Sequence, residues 1–449
     1  MNNVLKLNDI ENYRKKILIH IKKYILKLKK EKLNISKSIL CYFGSWDETP
    51  GILNIKNKIH NHKLKFLICL LKNIIGIGFQ SSYCHHYKKL NSSSKNVILT
   101  WGYKKSFDRY GNFYDSYLKI NSKTKHQTLW LIVYMDKFLP EKISDNILII
   151  HNKNNFFNPF YFLKIIIFNL FKYKLNLRKF FHFTSSSTNF GEIFIDKIKN
   201  IQKFENVQKI YMPYESQIFQ NMFIDYIRKK IHKAKTFGYV HDFEPVTPNL
   251  FHNSFSPDYL FLPGKGRKRY FTKFLGWPKK KIITTFSMRY SSKDVSDLFK
   301  NKVLLPSGIY DEAKILKTFE NLILKESNLT NYISVRKHPK STSQKKQSSF
   351  EKKMNTIISY NKNLYNKKKI KNKISIVVGI TSLTILLLKK NYRILHLAME
   401  PELQVYTKLF WPEIKVNYIS ENIFEYTLKE KNIFSFRKKK NLNKYLNLC

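Results

Sequence analysis

The sequence predicts an α/β chain with parallel sheets divided between two domains, and three observations carry that prediction. Short β-branched apolar runs alternate with helix-length segments along most of the chain, the pattern of strand, crossover helix and parallel strand. At 449 residues the chain is longer than one ordinary core supports. Two late runs, ISVRKHPKS at 333–341 and ISIVVGITSLTILLLKK from residue 374, each read as a strand ending in a small polar turn, and the second passes directly into a leucine-rich helix. In open parallel sheets ligands bind outside the carboxyl ends of the strands, where loops and helix N-termini converge.

In chain order, residues 1–35 form a basic amphipathic helix, whose apolar residues recur at helical spacing among lysines. Two fates suit it: lying on an anionic membrane surface, or packing on the first domain with a solvated outer face. SILCYFGSW (38–46) reads as a strand ending in small residues. The apolar stretches LKFLICLLKNIIGIGF (64–79) and FYFLKIIIFNLF (160–171) are interrupted by lysine and fall short of the ~20 residues that span a bilayer, so both are expected as buried helices. Strands follow in NVILTWG, QTLWLIVYMD and NILIIHN, with a polar, aromatic turn at DRYGNFYDSY. From Lys209 onward two strand–helix units in succession put Glu215, His241 and Gly264 along one edge of one sheet. The polar segment 291–302 marks a boundary. The divisions are therefore the N-terminal helix, a first domain at 36–295, a second at 296–430 and a basic tail at 431–449.

Lys and Arg number 82 against 31 acids, a formal charge of +51. Lysine predominates, alongside abundant Asn, Ile, Phe and Tyr and only 13 Gly and 13 Pro, which is the residue usage of A/T-rich codons. The lysines are scattered, and no helix-turn-helix, RRM or zinc-finger pattern appears, so nucleic acid is not the expected partner. The four cysteines are far apart and lack a C-x-x-C pair, which predicts neither a disulfide framework nor structural zinc and fits a reducing, cytoplasmic setting. No apolar signal-peptide core opens the chain.

The residues with chemical potential fall in two groups. His338 and Pro339 close one strand, with Arg336 and Lys337 beside them, and Gly379, Thr381 and Ser382 form the turn before a helix. Cationic side chains and free N–H groups at a helix N-terminus suit the phosphates of a nucleotide, while Ser or Thr there also serves as an ordinary cap. In the first domain Glu215, His241 and Asp242 are candidate acid/base groups, since a transferase needs a base for the acceptor hydroxyl. Arg289 is a candidate for an anionic group in the interdomain cleft. No D-x-D metal site, Walker loop or G-x-S-x-G elbow is present, so neither metal nor cofactor is expected.

These motifs together resemble those of bacterial GT-B glycosyltransferases of surface-carbohydrate (capsule and O-antigen) biosynthesis. The likeness rests on GSW and TWG, on YGNFYDSYL and LWLIVYMD, on Tyr214 to Gln217 (Y-E-x-Q), Gly238 to His241 (G-Y-x-H), Pro257 to Gly264 (P-D with a following Gly) and Ser287 to Arg289 (S-x-R). The HP and Thr-Ser pieces look like nucleotide-binding elements of bacterial sialyltransferases and glycerophosphate polymerases. The resemblance spans most of residues 40–400. It implies two Rossmann-like domains around a cleft, an acceptor-side first domain, and a metal-independent, inverting transfer from a CMP-, UDP- or CDP-linked donor. The acceptor it implies is a glycan or a lipid-linked glycan, handled in the cytoplasm or peripherally on the membrane. Leu386 and Leu387 stand where relatives often carry a ribose-binding Glu, and Thr381-Ser382 replaces paired serines, which leaves the nucleotide open. CDP-alditol phosphotransfer on the same fold, or a non-catalytic basic protein binding nucleic acid or membrane, are the competing functions.

Overall fold

The apolar runs assemble into two sheets. The structure, a computed structural model, describes residues 2–429 apart from 45–48, 60–61, 81–83, 87–93, 125–127, 137, 152–155, 200–205, 265, 286–298, 307, 310, 339–343 and 363–372. The strands up to residue 285 are β1 (Cys84–His86), β2 (Asn96–Gly102), β3 (Tyr114–Asp115), β4 (Ile120–Asn121), β5 (Thr128–Tyr134), β6 (Ile147–His151), β7 (Lys209–Pro213), β8 (Lys235–Tyr239), β9 (Tyr259–Pro263) and β10 (Ile282–Thr285). Eight of them form one sheet in the order β1-β6-β5-β2-β7-β8-β9-β10, while β3 and β4 pair separately. Every pairing in the large sheet is parallel except that of edge strand β1.

The second sheet uses β11 (Lys302–Leu304), β12 (Ser334–Arg336), β13 (Ile374–Val378), β14 (Arg393–Leu397), β15 (Ile414–Ser420) and β16 (Ile423–Leu428), in the order β12-β11-β13-β14-β16-β15. Its first four strands are parallel, and the β15–β16 hairpin is added antiparallel to β14. The predicted boundary at 291–302 falls largely outside the described residues. The α/β class holds, with parallel strands in both sheets. The hairpin was not legible because IKVNYIS and IFEYTL mix polar and apolar residues without the long apolar run of the buried strands.

The helices are α1 (Asn2–Lys30), α2 (Pro50–Asn57), α3 (Lys63–Ile75), α4 (Pro159–Lys172), α5 (Leu177–Phe183), α6 (Ser186–Lys199), α7 (Ile218–Lys230), α8 (Arg267–Lys273), α9 (Glu312–Lys325), α10 (Gln344–Lys362), α11 (Leu383–Lys389) and α12 (Pro401–Gln404). Their apolar faces close three cores. One large core joins the inner face of the first sheet to that of the second, because Phe243, Trp411, Tyr406 and Tyr426 belong to the same cluster as Leu99, Met212 and Leu260. The other faces carry their own clusters, around Phe113 and Trp130 in the first sheet and around Phe319 and Met354 in the second. The junction is pinned by polar bonds: Tyr406 Oη donates to the Phe243 carbonyl at 2.7 Å and Trp411 Nε1 to that of Pro245 at 3.0 Å.

For the apolar helices the structure decides one open question and reverses one expectation. Of the two fates open to α1, packing prevails: Ile17, Ile21, Ile25 and Leu28 are buried, and the helix lies against α12 and β15 as well as α2. Arg14 on α1 is buried and donates to the carbonyls of Pro401, Glu402 and Val405 and to Thr407 Oγ1. Conversely α3 and α4, expected inside, bury only one side; Leu70 and Ile74 point inward on α3 while Leu64, Leu67 and Leu71 are exposed. Sequence periodicity registers that a face is apolar but not what covers it.

Candidate active site

Because β2, β7, β8 and β9 are parallel neighbours, the residues that follow them emerge along one edge of the sheet. The connections run outward in opposite directions from β2 and β7, with β5 and β6 to one side and β8 to β10 to the other. A switch of this kind leaves a crevice at the strand ends. Trp101 closes β2, Glu215 follows β7 and His241 follows β8, so all three stand at that crevice.

Local structure explains the motifs around it. Gly238 has no room for a side chain, since a Cβ would meet Pro257 Cγ at 2.8 Å and Tyr214 Cβ at 2.9 Å, so the Tyr214, Gly238 and Pro257 motifs interlock in space. Ser216 has φ +56°, a left-handed conformation costly for a residue with a Cβ, and it turns the chain between β7 and α7. The turn is secured by Gln220, whose Oε1 accepts from the Glu215 and Gln217 amides and whose Nε2 donates to the Pro213 carbonyl at 2.7 Å. Asp258 of the P-D motif is structural: it accepts from the Thr236 amide and hydroxyl, each at 2.9 Å, and from Arg228 at 3.1 Å, which anchors the start of β8.

The structure brings all three predicted acid/base residues together. The His241 Nε2 proton is shared between Asp242 Oδ2 at 2.9 Å and Glu215 Oε1 at 3.2 Å. Burial by itself would lower the His241 pKa, but the two carboxylates outweigh it and raise it to about 9, so the imidazolium persists at neutral pH. The imidazole is 3% exposed, whereas the Glu215 and Asp242 side chains are 30% and 27% exposed. The acids, not the imidazole, are therefore the accessible members of the cluster. Gln217 Nε2 donates to Glu215 Oε2 at 2.7 Å and Asn249 Nδ2 to the Glu215 carbonyl at 2.7 Å, fixing the acid in place.

Several surrounding groups were not singled out from sequence. Tyr117 meets the His241 ring edge-on with centroids 4.7 Å apart, and Trp101 lies 6.0 Å away. Asp115 is fully buried, accepting from the Tyr117 and Leu118 amides at 2.7 and 3.1 Å, and burial pushes its pKa up. Both residues sit in the YGNFYDSY turn, so the signal was present as an unusual density of aromatics around one acid. Arg267 is buried over Trp411 and donates to the Asp242 carbonyl at 2.7 Å. Nothing in a lone Arg of a GKGRK stretch announces that contact.

The predicted second-domain residues divide. Ser382, beyond β13, reaches the first group: its hydroxyl accepts from the Phe243 amide at 3.2 Å and lies 3.4 Å from Asp242 Oδ1. It makes no side-chain cap to α11, and Thr381 Oγ1 accepts from the Leu383 amide at 3.3 Å instead. Gly379 adopts φ +66°, which its lack of a Cβ permits, and its carbonyl accepts from His396 Nε2 at 2.7 Å. Tyr426 Oη lies 2.6 Å from His396 Nδ1, so the buried imidazole is neutral; burial lowers its pKa to about 4. His338 follows β12, which lies two places from β13 with β11 between, and its amide donates to Gln347 Oε1 at 3.1 Å. Arg336 lies over the Phe299 ring at 4.4 Å. Pro339 and Arg289 lie outside the described residues.

Glu215, His241 and Asp242 each offer a ligand atom within 4.8 Å of the others, a set able to hold a divalent cation if His241 gives up its proton. With the imidazolium in place, Nε2 is a donor to both carboxylates rather than a ligand.

The fold and site define a two-sheet α/β protein with an acid–imidazolium–acid cluster at the strand ends of one sheet, touched by a serine from the other. No family model and no curated protein matches the sequence. Among solved structures, an α,α-trehalose 6-phosphate synthase from Burkholderia multivorans aligns over 65% of this chain and 78% of its own at 9% identity, with a TM-score of 0.37. A UDP-forming α,α-trehalose-phosphate synthase from Burkholderia vietnamiensis gives 66% and 78% at 10% identity and a TM-score of 0.35. A glycosyltransferase from Rickettsia africae gives 72% and 88% at 13% identity and a TM-score of 0.32. Likenesses at this level bear on neither substrate nor activity.

Proposed function

We propose that the protein is a glycosyltransferase that moves a sugar from a nucleotide-activated donor to a glycan or lipid-linked acceptor, without a metal and with inversion. The observation that carries this reading is the cluster of Glu215, His241 and Asp242 at the strand ends of one parallel sheet, met at Asp242 by Ser382 from the strand ends of another. Glu215 is the base: it is solvent-accessible, its second oxygen is held by Gln217, and the adjacent imidazolium keeps it oriented. The acceptor hydroxyl gives its proton to Glu215 as its oxygen bonds to the anomeric carbon. The bond from that carbon to the nucleotide phosphate breaks on the opposite face, so the configuration inverts. His338, Arg336 and the turn at Thr381 and Ser382 receive the departing phosphate, whose charge is met by fixed donors and cations.

A melting-temperature screen over CMP, UDP, CDP and their sugar conjugates tests this, because a ligand bound to the folded state must raise the transition. A shift of several degrees with one nucleotide, lost in His338→Ala and unchanged by EDTA, is expected. No shift with any nucleotide ends the proposal, and a response confined to CDP-glycerol or CDP-ribitol moves the protein to phosphotransfer.

A further inference from the structure

The two helices expected in the interior instead present apolar faces to solvent, and both pack on the same short turn. On α3 the exposed residues Leu64, Leu67, Leu71 and Ile75 recur at helical spacing, beside the buried Leu70 and Ile74. On α4 the exposed series is Phe160, Leu163, Ile167 and Phe171, again one face. The 3-10 turn Gly76–Phe79 joins them: Phe79 packs edge-on against Phe157 with centroids 5.3 Å apart, and the Asn158 amide donates to the Gly78 carbonyl at 2.7 Å. Leu64 is 71% exposed, Phe160 84% and Phe171 73%. Contiguous exposure of this kind marks a surface built for a partner.

Charge selects the partner. The chain has no acidic residue between Glu48 and Asp108, nor between Asp145 and Glu192, and these two spans contain both helices. Lys63 and Lys72 on α3, Lys164 on α4 and Lys174 and Lys179 just beyond it are all exposed, while Lys65, Lys172 and Arg178 pair with Glu400, Glu192 and Glu31. A second copy meeting this face through a twofold axis would set lysine against lysine, since such an interface joins a patch to itself. An apolar ridge whose unpaired fringe lysines outnumber the half-buried acids Glu31, Glu192 and Glu400 at its margin complements a bilayer of anionic lipids, whose head groups meet the lysines while the rings enter the acyl boundary. The helices, 13 and 14 residues long, suit lying flat, and no helix among the described residues is long and apolar enough to cross a membrane. We infer that the joined faces of α3 and α4 dock the protein on an anionic membrane surface. The inference stands on this surface alone and not on the transfer reaction.

Co-sedimentation of the full chain with vesicles tests it, comparing equimolar phosphatidylglycerol and phosphatidylcholine with phosphatidylcholine alone. Because a charge of +51 attracts any anionic surface, the deciding variant keeps the charge. Leu64→Ser/Phe160→Ser/Phe171→Ser changes only exposed side chains, and an unaltered melting temperature confirms that it folds. Wild type is expected to partition into the anionic vesicles, and the triple variant to do so at least tenfold more weakly in moderate salt. Lys63→Glu/Lys164→Glu is expected to weaken binding in the same assay. Equal sedimentation of the triple variant, or no binding by wild type, overturns the proposal. So does a dimer in light scattering that the triple variant abolishes.

Discussion

At the scale of single residues, the site turns on which group carries the proton. His241 is held charged by two acids, so its partners, and Glu215 first, are left as the ionised groups that accept a proton. Glu215→Gln preserves the shape and the Gln217 contact while removing the base. A loss in kcat of roughly 10²- to 10⁴-fold with little change in KM for the donor is expected from steady-state kinetics on the sugar conjugate identified by the melting screen. The activity of wild type should fall as the pH rises through about 9, where the imidazolium loses its proton, and His241→Asn should abolish that limb of the profile. The same shift has a stability consequence: with the folded pKa raised above 6.5, the contribution is full below that value and lost as the pH rises through about 9. Glu215, His241 and Asp242 were legible as candidates because each follows an apolar run. That the imidazole would be buried and the acids exposed was not, since it depends on Trp101, Tyr117 and Ser382 arriving from three distant segments.

At the scale of elements, α1 shows how a single side chain fixes the fate of a helix. Its pattern of lysines and apolar residues suits a membrane surface and a protein surface equally, yet the buried guanidinium of Arg14 finds three backbone carbonyls and Thr407 in the turn around α12. Removing it leaves those acceptors without a donor in a closed space. Arg14→Met is expected to cost about 2–4 kcal/mol in urea unfolding, the range for breaking a buried charged network, even though Met fills most of the volume. The exposed Lys15→Met on the same helix should cost less than about 0.5 kcal/mol. For α3 and α4 the sequence offered the same kind of pattern, and here the neighbouring elements cover only one side.

At the scale of the whole molecule, the two sheets share one apolar core through Phe243, Tyr406 and Trp411, so they should melt in one cooperative transition rather than two. Acid acts on that unit through its neutral buried histidines. His396, whose two ring nitrogens bridge the Gly379 carbonyl and Tyr426, and His182, bonded to Ser38, both have pKa values lowered to about 4 by burial. A depressed folded pKa means that their contribution is whole above pH 6.5 and is lost progressively towards pH 4. For the fully buried His396 the loss is on the order of 3 kcal/mol. Urea midpoints at pH 7 and pH 4.5 should therefore differ more for wild type than for His396→Gln.

The sequence by itself determined the α/β class, most of the parallel strands and the row of polar residues at their ends, though SILCYFGSW, expected as a strand, forms a 3-10 turn at Ile39–Cys41; alternating apolar runs and helix-length segments constrain a chain locally and the right-handed crossover does the rest. The close packing of Gly238 against Tyr214 and Pro257, by contrast, emerges only from the folded chain. What only the tertiary structure decided was contact between distant segments: Ser382 meeting Asp242, Arg14 meeting the α12 turn, and α3 and α4 left uncovered on one side. Periodicity specifies which face of an element is apolar, but what lies against that face is fixed by the packing of all the others.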